Sequence, residues 1–437
     1  MDAYRQVIIK YFVPVSILLL LCMVHFYYLN RYGINVPFSD DYNEILNNMN
    51  MILDSRTFVE SAGHLLYGSG YSKPITLRLI SLLHISVFHE INFRYLVFTG
   101  NFFLLLTCIV LTVSTLKINK YLAVAIACFV FQPQYWEAIY QSTLSNSVFP
   151  CLFFSLASIY CITQQRTFYY VLSLILAVLA QLSFGNGFMV YPLLLTASVF
   201  QKNVKLFIVI FITMVLTTYL YMLGTTVSYA DGQQMELLTK LKLWTLWFCE
   251  FLGSAVGYVF SSGYSRNPVS MKISIIIGFM LVIFYIFLIK KKYYARNLTY
   301  FLFFTFFLLT ALLAAKLRYS VEAPGASRYQ IQSALCILTA LIIIVDMYSV
   351  CMNRHMVTVL VIVFPILFML ASYRTNLPTV SGHKVRLATG LWSWLDHGTG
   401  LTIWVGEEAA GRLLIQSNNR QIYKIPSKES LMIEAWK

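Results

Sequence analysis

The chain has 437 residues, of which 59% are hydrophobic and 11% are charged, with a formal net charge of +14. A soluble domain carries roughly 25% charged residues, so this composition excludes an ordinary soluble protein. The basic residues stand in short connectors between apolar blocks, which favours anionic lipid headgroups over nucleic acid as their partner.

Apolar blocks approaching the ~20 residues that a helix needs to cross a bilayer recur along the chain. They lie at residues 11–29, 95–116, 204–223, 273–289, 298–315, 331–345 and 357–371, with shorter blocks at 121–136 and 187–200. Such blocks must be helical because lipid offers no hydrogen-bond partner to open backbone. We therefore predict an all-α polytopic membrane protein with about ten transmembrane helices, the first of them a retained span.

The charges of the connectors predict the orientation. A cytoplasmic N-terminus places twelve bases on the cytoplasmic side: Arg5, Lys10, Lys117, Lys120, Arg166, Lys202, Lys205, Lys290, Lys291, Lys292, Arg296 and Arg354. Of the acids, only Asp2 and Asp346 fall there, as the positive-inside rule favours. Keeping residues 290–292 inside makes residues 244–260 an external interfacial or re-entrant segment.

Three external regions follow from this topology, at residues 30–90, about 225–272 and 372–437. The last region alternates apolar and polar residues around turn signals, which predicts short strands at 384–388, 401–405, 412–415 and 421–425. We thus expect a transmembrane domain over residues 1–372 and a small β-rich external domain over 373–437.

Adjacent carboxylates, Asp40 and Asp41, follow the first span. Ile45, Met49, Ile52 and Leu53 come next at helical spacing, which predicts an amphipathic helix on the membrane surface. A carboxylate just above the bilayer can take the proton of an attacking sugar hydroxyl.

A structural role fits these acids as well. Ser39 is a good N-cap, and Asp41 with Glu44 has the spacing of a capping box. Glu44 and Glu137 are candidate supporting acids, and a structural pairing is the alternative for Glu137. Both interpretations stay open at the level of sequence.

Several external cations are candidates for holding a phosphate: Lys73, Arg78, Arg318 and Arg328. The last two break the positive-inside pattern, and arginine matches phosphate oxygens bidentately. Anchoring to headgroups is the alternative for each of them. The histidines at 64, 84 and 89 lack metal-ligand spacing, so we expect no metal and no other cofactor.

The motifs FSDDYNEI, QPQYWEAIYQSTLSNS, SFGNGFMVYP and ASRYQIQS, in this order of spans, resemble the membrane glycosyltransferases of the GT-C class. More narrowly, residues 10–370 resemble the phage-encoded, serotype-converting glucosyltransferases that modify bacterial O-antigen. The chain lacks a clear His-Arg pair after the first-loop helix, where Lys73 and Pro74 stand instead.

The resemblance implies transfer of glucose from a polyprenyl-phosphate donor to an O-antigen sugar of lipopolysaccharide, with Asp40 or Asp41 as the base. It also implies a bacterial inner-membrane location with the C-terminus in the periplasm. The implied partners are a flippase for the donor lipid and a cytoplasmic enzyme that makes it.

Two other functions are compatible with the sequence. A flippase or transporter for a lipid-linked sugar would place ionisable groups within its spans, whereas most charge here is pooled in the connectors. An O-antigen polymerase would carry its main external loop late in the chain, whereas the acidic loop here comes early.

Overall fold

The computed structural model describes residues 2–69, 73–223, 225–226, 236–261, 267–320, 322–348, 353–401 and 406–436. Its α-helices are α1 (Asp2–Tyr32), α2 (Asn48–Asp54), α3 (Phe58–Leu66), α4 (Ile75–Phe88), α5 (Phe93–Thr115), α6 (Leu122–Val130), α7 (Trp136–Tyr140), α8 (Ser142–Ile162), α9 (Thr167–Ser183), α10 (Val190–Phe200), α11 (Val204–Met222), α12 (Leu237–Gly257), α13 (Pro268–Lys290), α14 (Tyr293–Arg296), α15 (Leu298–Arg318), α16 (Ser327–Tyr348), α17 (Arg354–Thr358), α18 (Phe364–His397), α19 (Glu407–Asn419) and α20 (Lys428–Trp436).

Short irregular elements join these helices. Two π-helical turns, Tyr42–Asn47 and Val359–Val363, and two 3₁₀ turns, Pro133–Tyr135 and Gly185–Met189, lie between them. The strands in the described ranges are β1 (Gly68–Ser69) and β2 (Thr225–Thr226), which pair in parallel.

Nine helical segments of the described residues are long and apolar enough to cross a membrane. They are Phe12–Tyr32, Phe93–Thr115, Leu122–Tyr140, Ser142–Ile162, Val204–Met222, Pro268–Lys290, Leu298–Arg318, Ser327–Tyr348 and Met356–His397, and three shorter apolar helices accompany them. The predicted class, an all-α polytopic membrane protein, is confirmed. Helix α12, which contains most of the segment predicted to be interfacial or re-entrant, is not among the nine.

The connectors gather at two ends of the helical bundle. At one end, Arg94 donates to the carbonyl of Asn30 at 2.8 Å, so the first loop closes where α5 begins. At the other end, Gln201 donates to the carbonyl of Ile162 at 2.9 Å, and Thr163 meets Thr299 at 2.8 Å. This grouping matches the connectors predicted to share a side; which end faces the cytoplasm stays a prediction.

Helix α4 turns its polar stripe inward. Arg78, Ser81 and His84 are buried against the protein, whereas Leu83 and Val87 on the opposite face are more than half exposed. This inverted pattern suits a helix whose outer face meets lipid.

The first-loop helix has the predicted amphipathic pattern but a different partner. Ile45, Met49 and Ile52 are buried in one cluster with Leu387, Leu391, Leu414 and Tyr423 of the C-terminal region, whereas Leu53 is half exposed. The prediction that this apolar face rests on the membrane is therefore wrong, because the C-terminal helices cover it.

Polar contacts fix the same interface. Asn50 donates to the hydroxyl of Ser417 at 2.7 Å, and Arg420 forms a 2.7 Å ion pair with Asp54. The Tyr423 hydroxyl donates to the carbonyl of Asn35 at 2.9 Å. The C-terminal region thereby holds the loop that carries Asp40.

The prediction of a β-rich tail is wrong wherever the described residues test it. Residues 384–388 lie in α18, residues 412–415 lie in α19, and residues 421–425 form no strand, while 402–405 of the fourth segment are outside the described residues. Lys384, Leu387, Ala388 and Leu391 are buried at helical spacing, so the period of 3.6 residues prevails over the local alternation.

Helix α18 also runs without a break through Ser372, where the sequence suggested a domain boundary. Lys384, well along this helix, donates to the carbonyl of Arg31 at the end of α1, at 2.8 Å. The part of α18 beyond Lys384 therefore projects past the end of α1.

Helices α12 and α13 pack backbone to backbone. A Cβ added to Gly278 would lie 1.9 Å from the carbonyl oxygen of Cys249, and one added to Gly253 would lie 2.0 Å from that of Ser274. Small residues permit such an approach between membrane helices. The buried Glu250 of α12 accepts a 2.7 Å hydrogen bond from Tyr258.

Candidate active site

All four sequence motifs meet at one cavity of about 1070 Å³ at the end of the bundle that carries the first loop. The first-loop motif contributes Ser39, Asp40, Asn43 and Glu44. The second motif contributes Glu137, Thr143, Leu144 and Ser147, and Val148 directly after it also lines the cavity. The third and fourth motifs contribute Phe184, Gly185, Asn186, Phe188, Met189, Ala326, Ser327, Arg328, Tyr329 and Gln332. Segments far apart in sequence therefore form one site.

Asp40 opens into this cavity, which Glu44, Glu137 and Glu322 also line. Its side chain is solvent-accessible there, and it forms no ion pair or side-chain hydrogen bond with the rest of the described protein. Partial burial raises its pKa, an effect that the positive charge of Arg328 opposes. A carboxylate with free lone pairs beside a cation can accept a proton from a bound hydroxyl.

Asp41 points into the protein and is only 1% exposed. Its Oδ2 accepts from the amide of Phe38 at 3.0 Å, and its Oδ1 accepts from both the amide and the hydroxyl of Thr143 at 2.7 Å. Asp41 thus ties the first loop to the start of α8. It forms no side-chain cap on the π-helical turn that follows, so the capping interpretation is wrong.

A turn at Ser39 precedes the two acids. Ser39 has a φ of 51°, in the left-handed region that few residues other than glycine adopt. After this turn, Asp40 lines the cavity and Asp41 does not.

The burial of Asp41 predicts a pH effect on stability. Desolvation raises its pKa to about 6, against a usual value of about 4 in an unfolded chain. Since the folded pKa is the higher one, this group stabilises the fold most below about pH 4, and the contribution falls as the pH rises to about 6. In detergent, the Tm of wild type relative to that of Asp41→Asn should therefore rise as the pH falls from 7 to 4. A difference in Tm that does not change with pH would contradict this prediction.

A shared carboxylate organises the cationic side of the cavity. Glu322 accepts from Arg318 at 3.1 Å and from Arg328 at 3.2 Å, and Tyr329 also donates to it. Two guanidinium groups share this one carboxylate, which leaves donor capacity for an anion such as a phosphate. The structure thus brings together the two arginines predicted to hold a phosphate, and it pairs both of them with Glu322.

Glu137 joins the second motif to the fourth. It is 5% exposed, and its carboxylate accepts from the backbone amide of Arg328 at 3.1 Å, while its own amide donates to the hydroxyl of Ser327 at 3.2 Å. The Glu137 carboxylate therefore accepts from a backbone amide in the first turn of α16, where the amides have no intrahelical partner. The structural pairing considered from the sequence is confirmed.

Two predicted phosphate ligands lie outside the cavity lining. Arg78 is 1% exposed, donates to the carbonyl of Leu65 at 2.9 Å and pairs with Glu44 at 3.1 Å. Lys73 is also 1% exposed and donates to the carbonyl of Leu223. Both side chains are held by other protein groups. Glu44 lines the cavity and is paired with Arg78.

The turn of the third motif connects two helices. The 3₁₀ turn Gly185–Met189 joins α9 to α10, and a Cβ at Gly187 would lie 2.1 Å from the carbonyl oxygen of Ala180. The glycine permits this close approach. Asn186 then reaches the cavity and donates to the hydroxyl of Thr310 at 3.4 Å.

No family model, curated protein or solved structure matches the chain. Fold and site define the class: an all-α polytopic membrane protein with one large charged cavity among its described residues, at one end of the bundle.

Proposed function

We propose that this protein is a membrane glycosyltransferase that moves glucose from a polyprenyl-phosphate carrier to a hydroxyl of an O-antigen or other glycolipid sugar. The observation that carries the proposal is the cavity, in which Asp40 stands near Arg318 and Arg328. A base and a phosphate-binding pair are the two groups that such a transfer needs.

The wall next to the arginines supports a lipid-linked donor. Leu313, Ala314 and Leu317 of α15 line the cavity in the turn before Arg318, and Tyr221 and Met222 at the end of α11 line it too. A phosphate held at the arginines would place its prenyl chain along this apolar wall.

The chemistry is a direct displacement. Asp40 takes the proton of the acceptor hydroxyl, whose oxygen attacks the anomeric carbon of the donor sugar. The bond from that carbon to the phosphate oxygen breaks, and its electron pair leaves with polyprenyl phosphate. Arg318 and Arg328 stabilise the charge on the leaving group, and a single displacement inverts the anomeric configuration.

The cavity is large enough for a sugar substrate. Its volume of about 1070 Å³ stands at the upper end of the range of about 300–1,000 Å³ for small-molecule sites. We further propose that the site faces the periplasm, which requires a flippase and a cytoplasmic enzyme to supply the donor.

Purified protein in nanodiscs tests the proposal. We expect it to transfer sugar from polyprenyl-phosphate-glucose to a glycolipid acceptor, with a chelator present, and not from a sugar nucleotide alone. The two arginines can donate hydrogen bonds to the phosphate oxygens of the leaving group without an ion. Transfer from a sugar nucleotide without lipid donor would overturn the donor assignment, and activity that needs an added divalent ion would overturn the metal-free step. A protein that moves the donor across liposomes and forms no glycosidic bond would be a flippase.

A further inference from the structure

Uncharged polar side chains also line the cavity, farther along its helices than the arginines. Thr310 stands eight residues before Arg318 on α15, about 12 Å along the helix at 1.5 Å per residue, and Gln332 stands one turn beyond Arg328 on α16. Gln181 of α9 and Asn186 line the cavity as well, and we call these four residues its floor.

Two of these amides are buried, and each leaves its oxygen without a hydrogen-bond partner among the described residues. Gln181 is 2% exposed and Gln332 is 6% exposed, and the Oε1 atom of each has no hydrogen-bond partner within the described ranges. The Nε2 of Gln181 donates to the Thr218 hydroxyl at 3.4 Å, so exchanging its amide atoms still leaves one polar atom unmet. Unmet buried polar groups destabilise a fold, which makes them candidates for ligand contacts.

The chemistry of the floor selects among ligands. A primary amide both donates and accepts, which matches a sugar hydroxyl, whereas a phosphate is better served by the arginines. A prenyl chain would leave the amides unsatisfied. Phe184, Phe188 and Tyr258 also line the cavity, and aromatic faces suit the apolar face of a pyranose ring.

We propose that Gln181 and Gln332, with Asn186, form the subsite that recognises the hydroxyls of the donor hexose and so set donor-sugar specificity. This proposal rests on the proposed function. The floor is assigned to the donor because Asp40, which activates the acceptor, lies at the charged end, where a long acceptor glycan would enter.

Lipid binding measures this subsite without relying on turnover. The probes are polyprenyl phosphate and polyprenyl-phosphate-glucose, titrated into protein in nanodiscs. Gln332→Met and Gln181→Met keep the length of the side chain and remove the amide. In each variant, the ratio of the affinity for the glucose-bearing lipid to the affinity for the bare lipid should fall roughly tenfold, which corresponds to one hydrogen bond. The affinity for the bare lipid should not change. Gln416→Met, on α19 outside the cavity, is the matched control and should change neither affinity.

The outcomes separate the subsite from the function. Equal loss for both lipids, or an altered thermal unfolding profile with no change in preference, would show that the amides only support the fold. Weaker binding of the glycolipid acceptor with unchanged donor preference would assign the floor to the acceptor and overturn the proposal. If wild type binds neither lipid, the proposed function itself fails, and the subsite with it.

Discussion

Replacing Asp40 with asparagine should lower sugar transfer by roughly 10²-fold or more, the usual scale for loss of a general base. Asparagine has nearly the same shape but cannot accept the proton of the acceptor hydroxyl. The fold should not change, because the Asp40 carboxylate holds no described partner that asparagine would lose. Initial rates at saturating donor and acceptor, together with thermal unfolding, measure the two effects separately.

Asp41→Asn is the matched control for this experiment. Its amide nitrogen would face the backbone amide of Phe38, where the carboxylate now accepts a hydrogen bond, so this variant should lose stability. Asp40→Glu keeps a carboxylate and should recover part of the activity. Full activity in Asp40→Asn would remove the base from the mechanism and leave the cavity without one.

The sequence correctly predicted the apolar helices, because composition alone decides their secondary structure. Long apolar blocks in a chain with few charges admit only helices, and each such block is helical. The amphipathic pattern of Ile45, Met49 and Ile52 also predicted which face is buried. It could not predict what buries that face, because the covering residues, Leu387 and Tyr423 among them, come more than three hundred positions later.

The candidate site shows the same limit at the level of single residues. Asp40 and Asp41 are chemically identical neighbours, and the contacts of Asp41 with Phe38 and Thr143 give them different surroundings. Arg78 and Arg328 are both cations in connectors predicted to be external, yet one is enclosed by backbone carbonyls and the other reaches the cavity.

No local signal distinguishes the amides of the cavity floor. Gln332 lies within the fourth motif at an ordinary helical position, and Gln181 lies near the end of an apolar helix. Their role depends on α9, α15 and α16 meeting around one space. Such a meeting of helices is a property of the packing, which a single sequence does not contain.

Replacing Arg328 with alanine should weaken binding of a phosphate-linked donor by roughly tenfold to a hundredfold, the worth of a hydrogen bond to a charged group. Arg328→Lys should recover only part of this loss, since an ammonium group cannot bind two phosphate oxygens in the guanidinium geometry. Arg318→Ala should have a smaller effect, because Arg318 lowers the pKa of Asp40 less than Arg328 does.

Alanine at position 328 keeps the main hydrogen bonds of both neighbouring acids. Glu137 still accepts from the backbone amide of residue 328, and Glu322 keeps its ion pair with Arg318, although both acids lose the nearby guanidinium charge. The fold should therefore survive, and Arg412→Ala, which removes a 72% exposed arginine from α19, is the control for loss of positive charge alone. Titration with polyprenyl-phosphate-glucose gives the affinity, and turnover at saturating donor gives the rate. If alanine at both Arg318 and Arg328 leaves affinity and turnover at wild-type values, the pair serves only to hold Glu322, and the phosphate must bind elsewhere.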